Sequence, residues 1–144
     1  MALIFTEEQN MLRESARAFL GTEGPVSQLR RLRDTADAAG FWLPLWKQFA
    51  EMGFSGVLVP EAQGGMGLGY VEAGIVMEQI GHNLSASPFL ASNVVATTAI
   101  ISAANATQKA YWLPRLASGN AIATLAVDEP VSYTHLTLPT NREV

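Results

Sequence analysis

Ser87-Pro88-Phe89-Leu90-Ala91-Ser92-Asn93-Val94-Val95-Ala96-Thr97-Thr98-Ala99-Ile100-Ile101-Ser102-Ala103-Ala104 is the stretch that decides the fold. It carries no charge, and its apolar residues fall on every side of a 3.6-residue helix. Pro88 stands in the first turn, where a missing N–H costs nothing, and Ser87 is a candidate N-cap. A helix over residues 88–104 with no polar face predicts the centre of a bundle and the most buried element of the chain. Many of its residues are small (Ala91, Ser92, Ala96, Ala99, Ala103), which lets neighbouring helices approach closely or leaves a groove for something else to fill. Ser, Asn and Thr interrupt it too often for a bilayer span, so no membrane contact is expected.

The segments before it read as helices too. Thr6 followed by Gln9 forms a capping box, with Glu7 and Glu8 placed where the helix dipole favours negative charge. Met11, Leu12, Ala16, Phe19 and Leu20 then recur at helical spacing, and Gly21 is the predicted stop. An arginine-rich surface helix is expected over residues 27–39, with Leu29, Leu32, Ala36 and Ala39 to bury. Pro44 opens a third helix, Leu45, Phe49 and Met52 share a face, and Gly53 ends it. The apolar run 54–59 leads into a glycine-dense loop, residues 60–69, too permissive for regular structure. A fourth helix over residues 70–80 buries Ala73, Val76, Met77 and Ile80 and leaves Glu72 and Gln79 for solvent.

Beyond the fifth helix, Thr107 is a candidate cap for a sixth that runs to Gly119, with Pro114 removing one internal hydrogen bond. The period then changes. Residues 121–127 form a short apolar run ended by Asp128-Glu129-Pro130, which reads as a buried strand whose partners the sequence does not supply. The expected fold is therefore all-α, a six-helix bundle followed by one strand that either lies unpaired on the bundle or, as favoured, is continued by further chain.

Composition narrows the function. With 49% hydrophobic and 15% charged residues the chain can bury a core, and a net charge of −4 with scattered basic residues leaves no footprint for nucleic acid. No cysteine is present, which removes disulfides and thiolate chemistry and suits a reducing compartment. The first residues lack a basic and apolar leader, so a cytoplasmic protein is expected. The loop Gly65-Met66-Gly67-Leu68-Gly69-Tyr70 puts tyrosine where a dinucleotide fingerprint needs glycine, and no basic residue follows as in a phosphate loop. His82 has no second ligand at metal spacing, so no metal site is expected.

Several short pieces recur in an order and register that belong to one family. They are Phe5-Thr6-Glu7-Glu8-Gln9, Leu45-Trp46, Ala50-Glu51-Met52-Gly53-Phe54, Val59-Pro60-Glu61 with Gly64-Gly65-x-Gly67-Leu68-Gly69, Ser87-Pro88-Phe89-Leu90, Trp112-Leu113-Pro114-Arg115-Leu116-Ala117-Ser118-Gly119, and Glu129-Pro130. Together they resemble the amino-terminal helical domain of acyl-CoA dehydrogenases. The resemblance implies a helical domain at residues 1–120 and, at 121–130, the first strand of a middle β-domain. A second helical domain further on would carry the catalytic base, so no residue here is named catalytic. Residues 131–144 match nothing in the family and resemble translated sequencing-adapter read-through, a non-native tail.

What the family does follows from the same resemblance. Its members oxidise an acyl-CoA to the trans-2-enoyl-CoA with FAD, as in fatty acid metabolism, pass electrons to an electron-transfer flavoprotein, and assemble as tetramers. Their acyl channel is walled in part by the fourth and fifth helices, at positions matching Ser87, Pro88 and Ala91. Their strand before Thr-Glu-Pro lies against the flavin, at positions matching Leu125, Ala126, Val127 and Asp128. Asp128 departs from the family threonine: an ionised carboxylate cannot donate a hydrogen bond and opposes negative charge on a flavin that accepts hydride. The resemblance is equally compatible with a flavin oxidase or monooxygenase of the same fold, and Asp128 leans toward a non-catalytic subunit of a heteromeric dehydrogenase. The 144-residue chain alone is expected to be inactive.

Overall fold

A computed structural model describes residues 4–126. Six α-helices form it, with two 3-10 turns and one π-helical segment among the described residues. α1 (Glu7–Glu23) begins at the expected capping box, where Thr6 Oγ1 accepts from Gln9 N at 3.2 Å and Gln9 Oε1 accepts from Thr6 N at 3.0 Å. It runs through Gly21, which is exposed with open space beside it, and stops at Gly24. Pro25 disfavours helical backbone at the residue before it, and Gly24 is held there by close packing: a Cβ on it would meet Ser85 Oγ at 2.8 Å, and that hydroxyl donates to Gly24 O. Glycine inside an exposed helix costs only about 1 kcal/mol, so Gly21 alone cannot end one.

α2 (Val26–Asp34) is shorter than the expected 27–39. Only Leu32 is buried, Thr35 caps the Arg31 carbonyl with both its N–H and its hydroxyl, and the Asp37 carboxylate accepts from Ala39 N and Gly40 N. Local hydrogen bonds thus displace a helix that had little apolar surface left to gain. α3 (Leu43–Glu51) carries Pro44 in its first turn, and Gly53 beyond it takes the left-handed conformation at φ 85°.

The glycine loop folds back over the run at 54–59, with Met66 N, Gly67 N and Leu68 N donating to Gly56 O, Val59 O and Val57 O at 2.8–2.9 Å. Gly65 makes this approach possible, since a Cβ there would lie 2.0 Å from Val59 O. α4 (Tyr70–His82) packs along α1. Gln79, expected in solvent, is buried on α4, while Val71 is exposed.

The fifth helix departs most from expectation. It begins as a π-helical segment, Leu90–Ala96, and continues as α5 (Thr97–Ala103). It is not the most buried element: Leu90 and Val95 are exposed and Val94, Ile100 and Ile101 only partly covered, whereas α3 buries Leu45, Trp46, Phe49 and Ala50 out of nine residues. The absence of charge reported an apolar outer face, not a covered one. α6 (Ala106–Ala117) is capped by Asn105, whose Oδ1 accepts from Gln108 N at 2.9 Å; Thr107 is exposed. Residues 121–126 form no strand, because no second strand lies beside them among the described residues to complete a ladder. The remainder of the expected strand, from Val127 on, and the expected tail at 131–144 lie outside the described residues.

Candidate functional site

The expected site residues occupy two regions. Ser87 and Pro88 are half-buried at the start of the fifth helix, where Ser87 Oγ accepts from Phe89 N at 3.4 Å. Ser87 borders a small enclosed space with Leu20, Leu45, Trp46 and Phe49. Ala91, one turn on, is exposed. Leu125 and Ala126 are exposed near the end of the described chain, and neither makes a main-chain hydrogen bond to another described residue. Val127 and Asp128 lie outside the described residues.

An open groove of about 420 Å³ is lined by Ala99, Ile100, Ala103, Trp112, Ile122 and Ala123 among others. Its floor is the small-residue face of α5 and its wall is α6, and the irregular segment closes one side. Ser87, Pro88 and Ala91 are not part of it. The groove answers one question that composition left open: the alanines late in the fifth helix make room, while Ser92 and Ala96 early in it are buried and permit close packing.

The domain model for the acyl-CoA dehydrogenase amino-terminal domain matches residues 6–120. The chain belongs to the acyl-CoA dehydrogenase family. It is 34% identical over 126 residues to the mitochondrial isovaleryl-CoA dehydrogenase of Bos taurus, covering 86% of this chain and 29% of that one. Among solved structures, an acyl-CoA dehydrogenase complexed with FAD from Bacillus anthracis superposes with TM-score 0.74 at 28% identity, over 88% of this chain and 22% of that one. A structure described as the electron transferring flavoprotein of Acidaminococcus fermentans superposes with TM-score 0.71 at 25% identity, over 95% of this chain and 36% of that one. The chain thus spans between 22% and 36% of the length of these three proteins.

A second surface of this acyl-CoA dehydrogenase family chain went unnoticed in the sequence. An apolar groove of about 600 Å³ is lined by Met11, Leu12, Met52, Phe54, Met66 and Leu68, with Glu8, Gln9 and Glu72 at its rim. Met11, Met52, Met66 and Leu68 are all exposed. The only sequence signal was three methionines, in α1, just past the end of α3 and in the glycine loop, which the fold gathers. At the rim, Glu72 ties α4 to α1: its carboxylate accepts from Gln9 Nε2 at 2.7 Å and from Gly69 N at 2.9 Å. The Gln9 amide, helped by nearby main-chain N–H groups, holds the Glu72 carboxyl below its ordinary value. Glu8 is lowered as well, by its own main-chain N–H and the Thr6 hydroxyl. No helix among the described residues is long and apolar enough to cross a membrane.

Proposed function

We propose that this chain contributes a wall of the acyl channel and one edge of the flavin site to an FAD-dependent acyl-CoA dehydrogenase that converts acyl-CoA to trans-2-enoyl-CoA. The observation that carries the reading is the open apolar groove between α5, α6 and residues 121–126, beside main-chain groups of Leu125 and Ala126 that have no partner among the described residues. An acyl chain needs a dry apolar wall without charge, and a flavin's polar edge needs main-chain groups that can donate and accept hydrogen bonds. The described residues fit both demands. In this reading Ser87, Pro88 and Ala91 line the channel nearer the start of the fifth helix, and Leu125, Ala126, Val127 and Asp128 border the flavin.

FAD, when bound, supplies a two-electron acceptor for the hydride that leaves the β-carbon. The residues of this chain exclude water and orient the acyl group; the α-proton goes to a carboxylate outside residues 1–144. Exclusion of water matters because the α-proton of a thioester is acidic enough only when the developing enolate is held in a low-dielectric, preorganised site. The Met-rich groove between α1, α3 and the glycine loop is assigned to the electron-transfer flavoprotein. Methionine adapts its shape to a transient partner, and exposed apolar patches of this kind mark protein contacts. Residues 121–130 are the first strand of the β-domain in this reading, and the active form is a homotetramer in the cytoplasm.

The test is flavin absorbance of purified protein together with acyl-CoA-dependent dye reduction. The 144-residue chain should hold no stoichiometric FAD, since most of the cofactor would stay in water and its association entropy would go unrecovered. Residues 1–130 joined to the family's remaining domains should bind FAD and turn over acyl-CoA, and Asp128→Thr should preserve or raise both. A full-length form in which neither wild type nor Asp128→Thr holds flavin would favour the non-catalytic subunit toward which Asp128 leans. Tight FAD on the 144-residue chain would defeat the assignment.

A further inference from the structure

The last turn of every α-helix leaves carbonyls without helical partners, and local caps or water usually satisfy them. α6 is capped in part from a distance. Asn93 Nδ2 donates to Leu116 O at 3.2 Å and to Ser55 O at 2.7 Å, Ser55 Oγ donates to Ala117 O, and Trp46 Nε1 donates to Gly119 O at 3.2 Å. Arg115 O takes Asn120 N and Ala121 N at 2.9 and 3.0 Å. Side chains from α3, from the 3-10 turn Phe54–Gly56 and from the π-helical segment therefore fix the direction in which the chain leaves α6.

One more bond extends this control to the segment itself. Ser92 is fully buried in the π-helical turn, and its Oγ accepts from Ala123 N at 3.2 Å. Its carbonyl is held in turn by the Thr97 N–H and by Thr97 Oγ1, the latter at 3.0 Å. π-helical turns inside longer helices occur often at functional sites, where the extra residue redirects side chains. Among the described residues, Ser92 Oγ to Ala123 N is the last hydrogen bond along the segment before Leu125.

We propose that Ser92 is a positioning residue: its buried hydroxyl latches Ala123 and sets where the Leu125–Ala126 edge lies relative to the fifth helix. The functional meaning rests on the reading of Leu125 and Ala126 as flavin-bordering, for then one residue of the channel-wall helix fixes the distance between acyl group and flavin. Neither Ser92 nor Ala123 touches the reacting atoms in this account.

The experiment is amide hydrogen exchange by NMR on the 144-residue chain, without flavin. In the unaltered protein the Ala123 amide should exchange about tenfold more slowly than those of Leu125 and Ala126, the protection one hydrogen bond typically affords. In Ser92→Ala that protection should vanish while the amides of Phe49 and Leu113 keep theirs. A merely structural packing role would instead speed exchange across the bundle together. Thr97→Ala, which removes a bond to the Ser92 carbonyl only, should leave Ala123 protected. Ala123 exchanging as fast as Ala126 in the unaltered chain, or unchanged in Ser92→Ala, overturns the latch. Because no flavin is present, that failure would leave the channel and flavin reading standing, and absence of FAD binding by the longer protein would leave the latch standing.

Discussion

Around Phe49, the rings of Trp46, Phe54, Phe89 and Phe19 lie with centroids 5.5, 5.1, 5.5 and 6.3 Å away. Around Asn93, some residues further along the chain, the buried neighbours are Ser55, Ser92 and Thr97, joined by side-chain hydrogen bonds to carbonyls. The aromatic region is closed and held by burial, which is non-directional and tolerates small shifts. The polar region is directional. It meets an outer face where Val95, Trp112, Ile122 and Leu125 stay exposed. The two regions teach a division of labour: apolar packing makes the bundle stable, and hydrogen bonds specify how the edge that faces the proposed site is held.

The comparison breaks first, if it breaks, at Phe49. Phe49→Ala removes the ring that the other four touch, and should cost about 3–5 kcal/mol, enough to abolish cooperative unfolding in a marginal domain. Urea denaturation followed by tryptophan fluorescence checks it. A loss below about 1 kcal/mol would mean the aromatic cluster is not what holds the bundle.

Asn93→Ala should cost less, about 1–3 kcal/mol, because it leaves the Ser55 carbonyl without its side-chain donor in a buried site. Asn93 Oδ1 is itself buried without a partner among the described residues. Both Nδ2 bonds run to carbonyls, so the amide cannot be turned to relieve it. The same denaturation measurement applies, and the sharper readout is loss of protection at Asn120 and Ala121 beyond the drop in global stability.

Much of this division was legible in the sequence, and the illegible part has a physical cause. The capping box at Thr6, the proline start at Pro44 and the sixth helix follow from local chemistry that packing does not overrule, whereas Pro88, expected in the first turn of the fifth helix, stands just before its helical residues. Gln79 was misread because helical periodicity reports polarity and not cover, and α1 lies over that face. The π-helical start of the fifth helix has no signature in a run of small uncharged residues, since the extra residue is fixed by contacts with Ser55 and Leu116 many residues away. The open groove was legible only as one of two alternatives for the small residues Ala99 and Ala103, and the methionine-lined groove was not legible at all. Met11, Met52 and Met66 are unremarkable singly and meet only when three elements fold together.

Outside both regions, Glu72 tests how far surface electrostatics matter. Its carboxyl has a folded pKa below the ordinary 4.5, so its contribution is fully present above that value and is lost as pH falls through the lowered one. Glu8 acts in the same direction. Melting temperature should therefore hold steady from neutral pH to about pH 5 and fall below it, and the gap between the chain and Glu72→Gln should narrow in acid. A gap that widens in acid would reverse the sign of the argument. The site is solvent-exposed at its rim, so the effect at neutral pH should be smaller than that of Asn93→Ala.

The smallest expected effect is the most informative about function. Ile122 lines the open groove, is 46% exposed, and sits in a segment with no regular structure. In the 144-residue chain Ile122→Ala should change stability by about 0.5 kcal/mol or less, as exposed substitutions do. In a longer protein that covers the groove, the same substitution should cost about 2–5 kcal/mol, the usual loss for a buried isoleucine, and should lower turnover of long acyl chains if the groove is part of the channel. The pair of measurements isolates what the groove is for. Equal, small losses in both contexts would mean that the face stays open even in the longer protein. A large loss in the short chain would show that the segment is already packed as core, and the contrast between a closed aromatic region and an open polar one would then fail on the open side.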